Sequence, residues 1–145
     1  MKKVIVLIVA CSVLFLAGCA TTCQSVPIPD QTKMVENPGL ARIYVVRPTG
    51  FGSAVSIRIT DNGKYIGNTG PDGYLCWERE PGMAEISGNA ENTSTVTLNA
   101  KSREVYYICQ HIQMGLLYAR NELEIVSKEQ GQKYLKKCKP PVFGQ

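Results

Sequence analysis

Histidine occurs once in this chain, at His111, and tryptophan once, at Trp77. A catalytic or metal-holding imidazole needs companions, and the neighbouring sequence offers neither a second histidine nor a spaced carboxylate. No Cys-x-x-Cys pair is present, which leaves a thioredoxin-like redox motif and a zinc knuckle without support. No G-x-S-x-G elbow, H-E-x-x-H or P-loop occurs, so the common nucleophile, zinc and phosphate frameworks lack a sequence basis. Gly50-Phe51-Gly52 has the look of a ligand loop, but no helix follows to turn its N-terminus on a phosphate. Charge is scarce too. Sixteen Lys and Arg stand against twelve Asp and Glu, and removing Lys2 and Lys3 leaves a balance of only +2. Nucleic acid demands a dense basic face, so it is not an expected partner. Repeats and low-complexity tracts are absent. These absences read together as a non-enzymatic chain without a cofactor.

Long apolar runs are also missing, with one informative near-exception. Val4 to Ala17 is apolar and follows Lys2 and Lys3, yet it falls short of the roughly 20 residues a spanning helix needs. A basic start, a short apolar stretch and small residues at its end fit a cleavable secretory signal. The alternatives are a plain signal peptide or a short membrane anchor. Leu16-Ala17-Gly18-Cys19 resembles the lipobox of bacterial lipoproteins, in which the cysteine is acylated and becomes the mature N-terminus. The resemblance implies lipid attachment at Cys19 and a membrane partner held through that lipid. One acyl chain holds only marginally, whereas two or more hold firmly. Ala20 follows the cysteine in place of an inner-membrane-retaining aspartate, which implies the outer membrane, facing the periplasm.

Residues 1–18 are therefore read as the signal peptide, 19–39 as lipidated N-terminus and tether, 40–138 as one domain, and 139–145 as a tail. A domain of that size buries a working core without metal. The tether carries Pro27, Pro29, Asp30, Asn37 and Pro38 with no apolar period, and as a partly extended coil it would span roughly 25 Å. Four cysteines remain beyond the lipid site: Cys23, Cys76, Cys109 and Cys138. An oxidising compartment favours at least one disulfide among Cys76, Cys109 and Cys138, with Cys23 unpaired or bridged to Cys138.

From Leu40 onward, short strand signals alternate with turn chemistry, the pattern of a small sandwich. Ala41–Arg47 is β-branched and aromatic, and Pro48 stops it. Ser53–Thr60 alternates, with Val55, Ile57 and Ile59 on one face and Ser56, Arg58 and Thr60 on the other. Asn62-Gly63 supplies a hairpin turn into Lys64–Gly67. Thr69–Gly73 turns again into Tyr74–Glu78, and Pro81-Gly82 precedes Ala84–Ser87. Ser94–Leu98, Glu104–Ile112 and Glu122–Val126 complete the strands. Ser127 to Gln130 has capping-box spacing and predicts a helix to about Lys137, with Tyr134 and Leu135 toward the sheet. Lysines in its last turn complement the helix dipole, and Pro140 and Pro141 end it.

Trp77 with Tyr44, Tyr65, Tyr74, Tyr106, Tyr107 and Tyr118 forms either an aromatic ligand face or a set divided between core and rim. Met114-Gly115-Leu116-Leu117-Tyr118 is unusually apolar for a connection; it is either a partner-facing patch or a cover over one end of the sandwich. Lys133, Lys136, Lys137 and Lys139 cluster as a solvated helix end or a contact for anionic headgroups or glycan. Asn92-Thr93-Ser94 matches a glycosylation sequon, which is idle in a bacterium.

Arg42–Pro48, Gly52-Ser53-Ala54, Asp61–Gly67, Pro81-Gly82, Tyr106-Tyr107-Ile108 and Ile125–Gly131 resemble, in their shared order, a family of small bacterial lipoproteins carrying a domain of unknown function. The likeness covers about Leu40 to Lys137. Its middle is similar to PEGA-type surface domains. Such relatives imply a mainly β fold, a small Ig-like or transthyretin-like β-sandwich of about seven to eight strands with one C-terminal helix. The family brings no catalytic residues. This chain departs from it at Glu80, where the related turn often has a second proline, and in carrying Cys76, Cys109 and Cys138. The expected role is a lipid-anchored envelope module that binds an envelope protein or glycan. The rival is a periplasmic small-ligand or metal-binding module using His111, tyrosines and a free cysteine. A hydrolase built on His111 is the third reading, and it requires a carboxylate or serine within hydrogen-bond reach.

Overall fold

The computed structural model describes residues 20–49, 54–115 and 119–144. Among these described residues, ten strands and one helix follow one another in the order β1 (Cys23–Gln24), β2 (Ala41–Arg47), β3 (Ile57–Asp61), β4 (Lys64–Thr69), β5 (Gly73–Arg79), β6 (Gly82–Asn89), β7 (Thr93–Ala100), β8 (Val105–Met114), β9 (Ala119–Val126), α1 (Lys128–Leu135) and β10 (Val142–Phe143). They make two sheets, of order β10-β1-β4-β3-β6-β7 and β5-β2-β8-β9. The chain is a mainly β sandwich with one short C-terminal helix, as its turn spacing and strand periodicity indicate. The two strands beyond the expected number are β1 and β10, each two residues long and too short to leave a pattern.

Alternation assigns the layers. Ile43 and Val45 of β2, Leu75 and Trp77 of β5 and Ile108 of β8 meet Ile57, Ile59, Ile66, Ala84, Ile86 and Leu98 from the larger sheet in one core. The alternate residues Tyr44, Val46, Tyr74, Cys76, Tyr107 and Cys109 form a second cluster on the other face of the four-stranded sheet, with Tyr134 and Leu135 of α1 packed against it. Every residue of β2 is therefore buried, because both of its faces are covered. Ser127 caps α1 as expected, its Oγ accepting the Gln130 N–H.

The first hairpin turn follows the sequence closely. Asn62 and Gly63 adopt φ of 47° and 78°, the positive pair a two-residue hairpin loop needs. In β3, Arg58 faces out, but Thr60 is buried rather than outward. The pairing with β4 shifts register between Ile59 and Thr60, and such a bulge turns the following side chains over.

The stretch expected to be a free tether is partly structured. β1 pairs antiparallel with β4 and parallel with β10, Cys23 opposite both Asn68 and Val142. Buried Gln24 explains the docking: its Oε1 accepts the Cys76 N–H at 2.9 Å and its Nε2 donates to the Cys76 carbonyl at 2.6 Å. The side chain thus copies a strand's pair of ladder bonds, which hydrophobic patterning does not register. Asn92, the sequon asparagine, is likewise structural. Its amide donates to the Asn121 carbonyl and its Oδ1 accepts the Asn121 N–H, both at 2.8 Å.

Candidate functional site

The outer face of the four-stranded sheet carries the most distinctive assembly. Tyr44 stacks on Tyr107 with ring centroids 5.1 Å apart and planes 8° from parallel, and Tyr74 tilts toward Tyr44 at 6.1 Å. Their adjacency follows from register, since Tyr44 lies opposite Tyr107 on β8 and Cys76 on β5. Residues 31–34 on one side and α1 on the other leave a cleft of about 840 Å³ above this floor. Two of the tyrosines meet the two walls. Tyr44 donates to Gln31 Oε1 at 2.6 Å, and Tyr107 packs directly beneath Gly131 of α1. Burial pushes all three phenols above their ordinary value, so they remain donors at neutral pH.

Charge in the cleft is of one sign. Lys33, Arg42, Lys128 and Lys136 line it, and no carboxylate does. Arg42, only 2% exposed, donates to Glu78 Oε1 at 2.9 Å beneath the cleft and to the Lys33 carbonyl at 2.7 Å. Lys33 pairs with Asp30. Lys128 and Lys136 make no salt bridge among the described residues and leave two rim ammonium groups for a ligand. A second hollow, of about 590 Å³, is bordered by Pro27, Asp61, Trp77 and Arg79. Asp61 accepts from both Arg79 and the Trp77 indole N–H, which ties this side of the hollow together as a structural corner, while Glu36, Lys64 and Glu80 also border it.

Cys19 lies outside the described residues, as do Gly50–Ser53 and Leu116–Tyr118. Cys23, Cys76, Cys109 and Cys138 are free thiols, so the expected disulfide is not formed. Register explains why Cys76 and Cys109 stay apart. They sit on β5 and β8 with β2 between them, about 10 Å or more at two interstrand spacings, beyond the roughly 7 Å a disulfide bridges. Cys138 is half-buried against the same cluster, and Cys23 is in β1 in the other sheet. His111 does meet a carboxylate, Glu124 Oε2 at 3.2 Å, on an exposed diagonal of the β8–β9 pair. The aromatic set divides. Tyr44, Tyr74 and Tyr107 form the cleft floor, Trp77 enters the main core, and Tyr106 binds its hydroxyl to the Lys101 N–H and the Asn99 carbonyl. Among the described residues no group of three or more His, Cys, Asp or Glu could hold a metal, and no helix is long and apolar enough to cross a membrane.

The cleft walls escaped sequence reading because residues 31–34 looked like linker. One signal was available: β2 is apolar at successive positions from Ile43 to Val46, which requires cover on both faces.

The buried thiols carry a pH consequence. Burial raises Cys76, Cys109 and Cys138 from 9.0 to about 11. Between those values the unfolded chain releases protons the folded chain retains, so stability falls as pH rises. Melting temperature under reducing conditions should drop across that window, and Cys76→Ala should blunt the drop. A melting point that is flat from pH 9 to about 11 would contradict the assignment.

No protein-family model matches the chain, so the likeness to small lipoproteins and PEGA-type domains stands on the motifs alone. The chain is similar to an uncharacterized protein of Haemophilus influenzae, 29% identical over 128 residues that cover 86% of this chain and 76% of that protein. No solved structure matches.

Proposed function

We propose that this chain is a non-enzymatic, lipid-anchored protein of the bacterial envelope, held at the outer membrane through Cys19, and that its cleft binds an anionic group on an envelope protein or glycan. The observation that supports binding is the cleft itself: a floor of three tyrosines under a cationic rim with no carboxylate. Tyrosine gives contact area and a hydroxyl from one side chain, and the lysines select negative charge. Lipid attachment raises the effective concentration of a weak site near its partner. The cleft's volume also falls in the roughly 300–1,000 Å³ range of small-molecule sites, which favours a free organic anion as the second reading.

Cys19→Ser should abolish palmitate labelling in cells and move the protein out of the membrane fraction. Persistent labelling of the variant would remove the proposed anchor. For the cleft, native mass spectrometry of protein starting at Ala20 and recovered from the periplasm should show a bound acidic species. Lys128→Glu with Lys136→Glu should strip it. A species retained by the double variant, or none in either form, counts against the cleft; its mass separates a free anion from a glycan or peptide.

A further inference from the structure

The chain joins the sandwich at a defined place. Residues 20–22 run across Gly70, where an added Cβ would come within 2.6 Å of the Ala20 carbonyl and 2.8 Å of the Thr22 nitrogen. Thr22 Oγ1 accepts the Gly70 N–H at 2.8 Å, and the Thr22 carbonyl accepts the Val142 N–H at 2.9 Å. Lys139 closes the same corner by donating its N–H to the Asp72 carbonyl at 2.7 Å. Ala20 is thus fixed at the Gly70–Asp72 turn. Chain connectivity alone keeps the residue before Ala20 within one Cα step of it, about 3.8 Å.

Strand registers show what else occupies that end. Thr69 pairs with Ile57, and its hydroxyl hydrogen-bonds to Gln110, so the end of β4, the start of β3 and the middle of β8 share one level. β8 continues past that level to Met114, which pairs with Ala119 of β9. At about 3.4 Å per residue this hairpin projects about 13 Å beyond Thr69, in the direction Ala20 leaves the sheet. Met114 at its described end is 83% exposed. Met83, near the opposite end, is 61% exposed, so exposure alone does not choose between the ends; the position of Ala20 does.

We infer that the sandwich stands end-on upon a phospholipid leaflet, with the β8–β9 hairpin at Met114 dipping into the headgroup layer beside the lipid on Cys19. The inference rests on the proposed acylation of that cysteine. An acylated Cys19 lies at the level where headgroups meet acyl chains. The headgroup layer is roughly 5–8 Å deep on each side, less than the hairpin's projection. The Asn62-Gly63 turn, at the far end of β4, then faces away from the membrane.

Full-length lipidated protein in phosphatidylethanolamine–phosphatidylglycerol vesicles, doped with phospholipid brominated on the upper acyl carbons, provides the test. Met114→Trp places an indole at the hairpin, where its exposure means that nothing is displaced. Lys64→Trp places one beside the Asn62-Gly63 turn. Native Trp77, buried and bonded to Asp61, supplies the background. Met114→Trp should lose most of its added emission, while Lys64→Trp and Trp77 keep theirs. If intact mass confirms lipid on Cys19 and Met114→Trp is quenched no more than Lys64→Trp, the orientation is overturned alone. A protein without lipid on Cys19 overturns the anchor, and the orientation falls with it.

Discussion

Gly131→Ala should unseat α1 and lower stability, although the same change in an isolated helix would raise it. Replacing glycine by alanine in a helix interior gains about 1 kcal/mol from propensity. At this position an added Cβ would overlap Cγ and Cβ of Tyr107. Those atoms are the rigid base of the ring, which is itself stacked on Tyr44, so the floor cannot yield. Overpacking of this kind costs about 1–3 kcal/mol and occasionally more. The helix must lift, taking Tyr134 and Leu135 off the cluster they cover, at about 1.5–3 kcal/mol for a large side chain fully uncovered. Strain outweighs propensity. Urea unfolding should show a net loss, the near-UV tyrosine signal should weaken, and trypsin should cut at the lysines of α1 before the core opens. Lys133→Ala, on the exposed side of the helix, serves as a control and should change little. A Gly131→Ala protein as stable as the parent would mean that the helix does not press on Tyr107.

Gln24→Leu should release both ends of the chain together. The amide satisfies the backbone N–H and carbonyl of buried Cys76. Leucine fills similar space but leaves two polar groups unpaired, at about 1–3 kcal/mol each. That is a large fraction of a total stability of about 5–15 kcal/mol, set against the β4 pairing and the flanking Thr22–Gly70 and Ser25–Ile66 bonds that otherwise hold β1. β1 should therefore detach. Its only other neighbour besides β4 is β10, so Val142 and Phe143 lose their sole strand partner in the same event. Hydrogen exchange should speed up at the Ser25 N–H, which donates to the Ile66 carbonyl, and at the Val142 and Gly144 N–H groups, which donate to the Thr22 and Gln24 carbonyls. Amides of β2 and β8 should stay protected. Release of one terminus without the other would contradict the coupling.

Much of the sandwich was legible because its signals are local. Asn62-Gly63, the alternation of Ile57 and Ile59, and the Ser127 cap each report on a few adjacent residues. What escaped depends on distant partners. Gln24 reads as a polar linker residue until Cys76 stands opposite it. His111 has no nearby carboxylate in sequence, and the β8–β9 register supplies Glu124. The cleft shows the same division. Its tyrosines were recognised as a group with two possible fates, and register sent three of them to one surface. Its walls depend on the placement of residues 31–34, which have no periodicity to read. The cysteines follow the same rule: compartment chemistry favours a bridge, but spacing along the chain does not reveal that β2 comes between Cys76 and Cys109.

The parallel pairing of β2 with β8 has a kinetic consequence. The centre of the smaller sheet cannot close until β3 through β7 have been made, because Ile43 lies beside Tyr106. Loop-closure entropy is spent before that contact repays it, and folds dominated by such long-range pairings take milliseconds to seconds. The nascent chain therefore stays loose until its second half arrives.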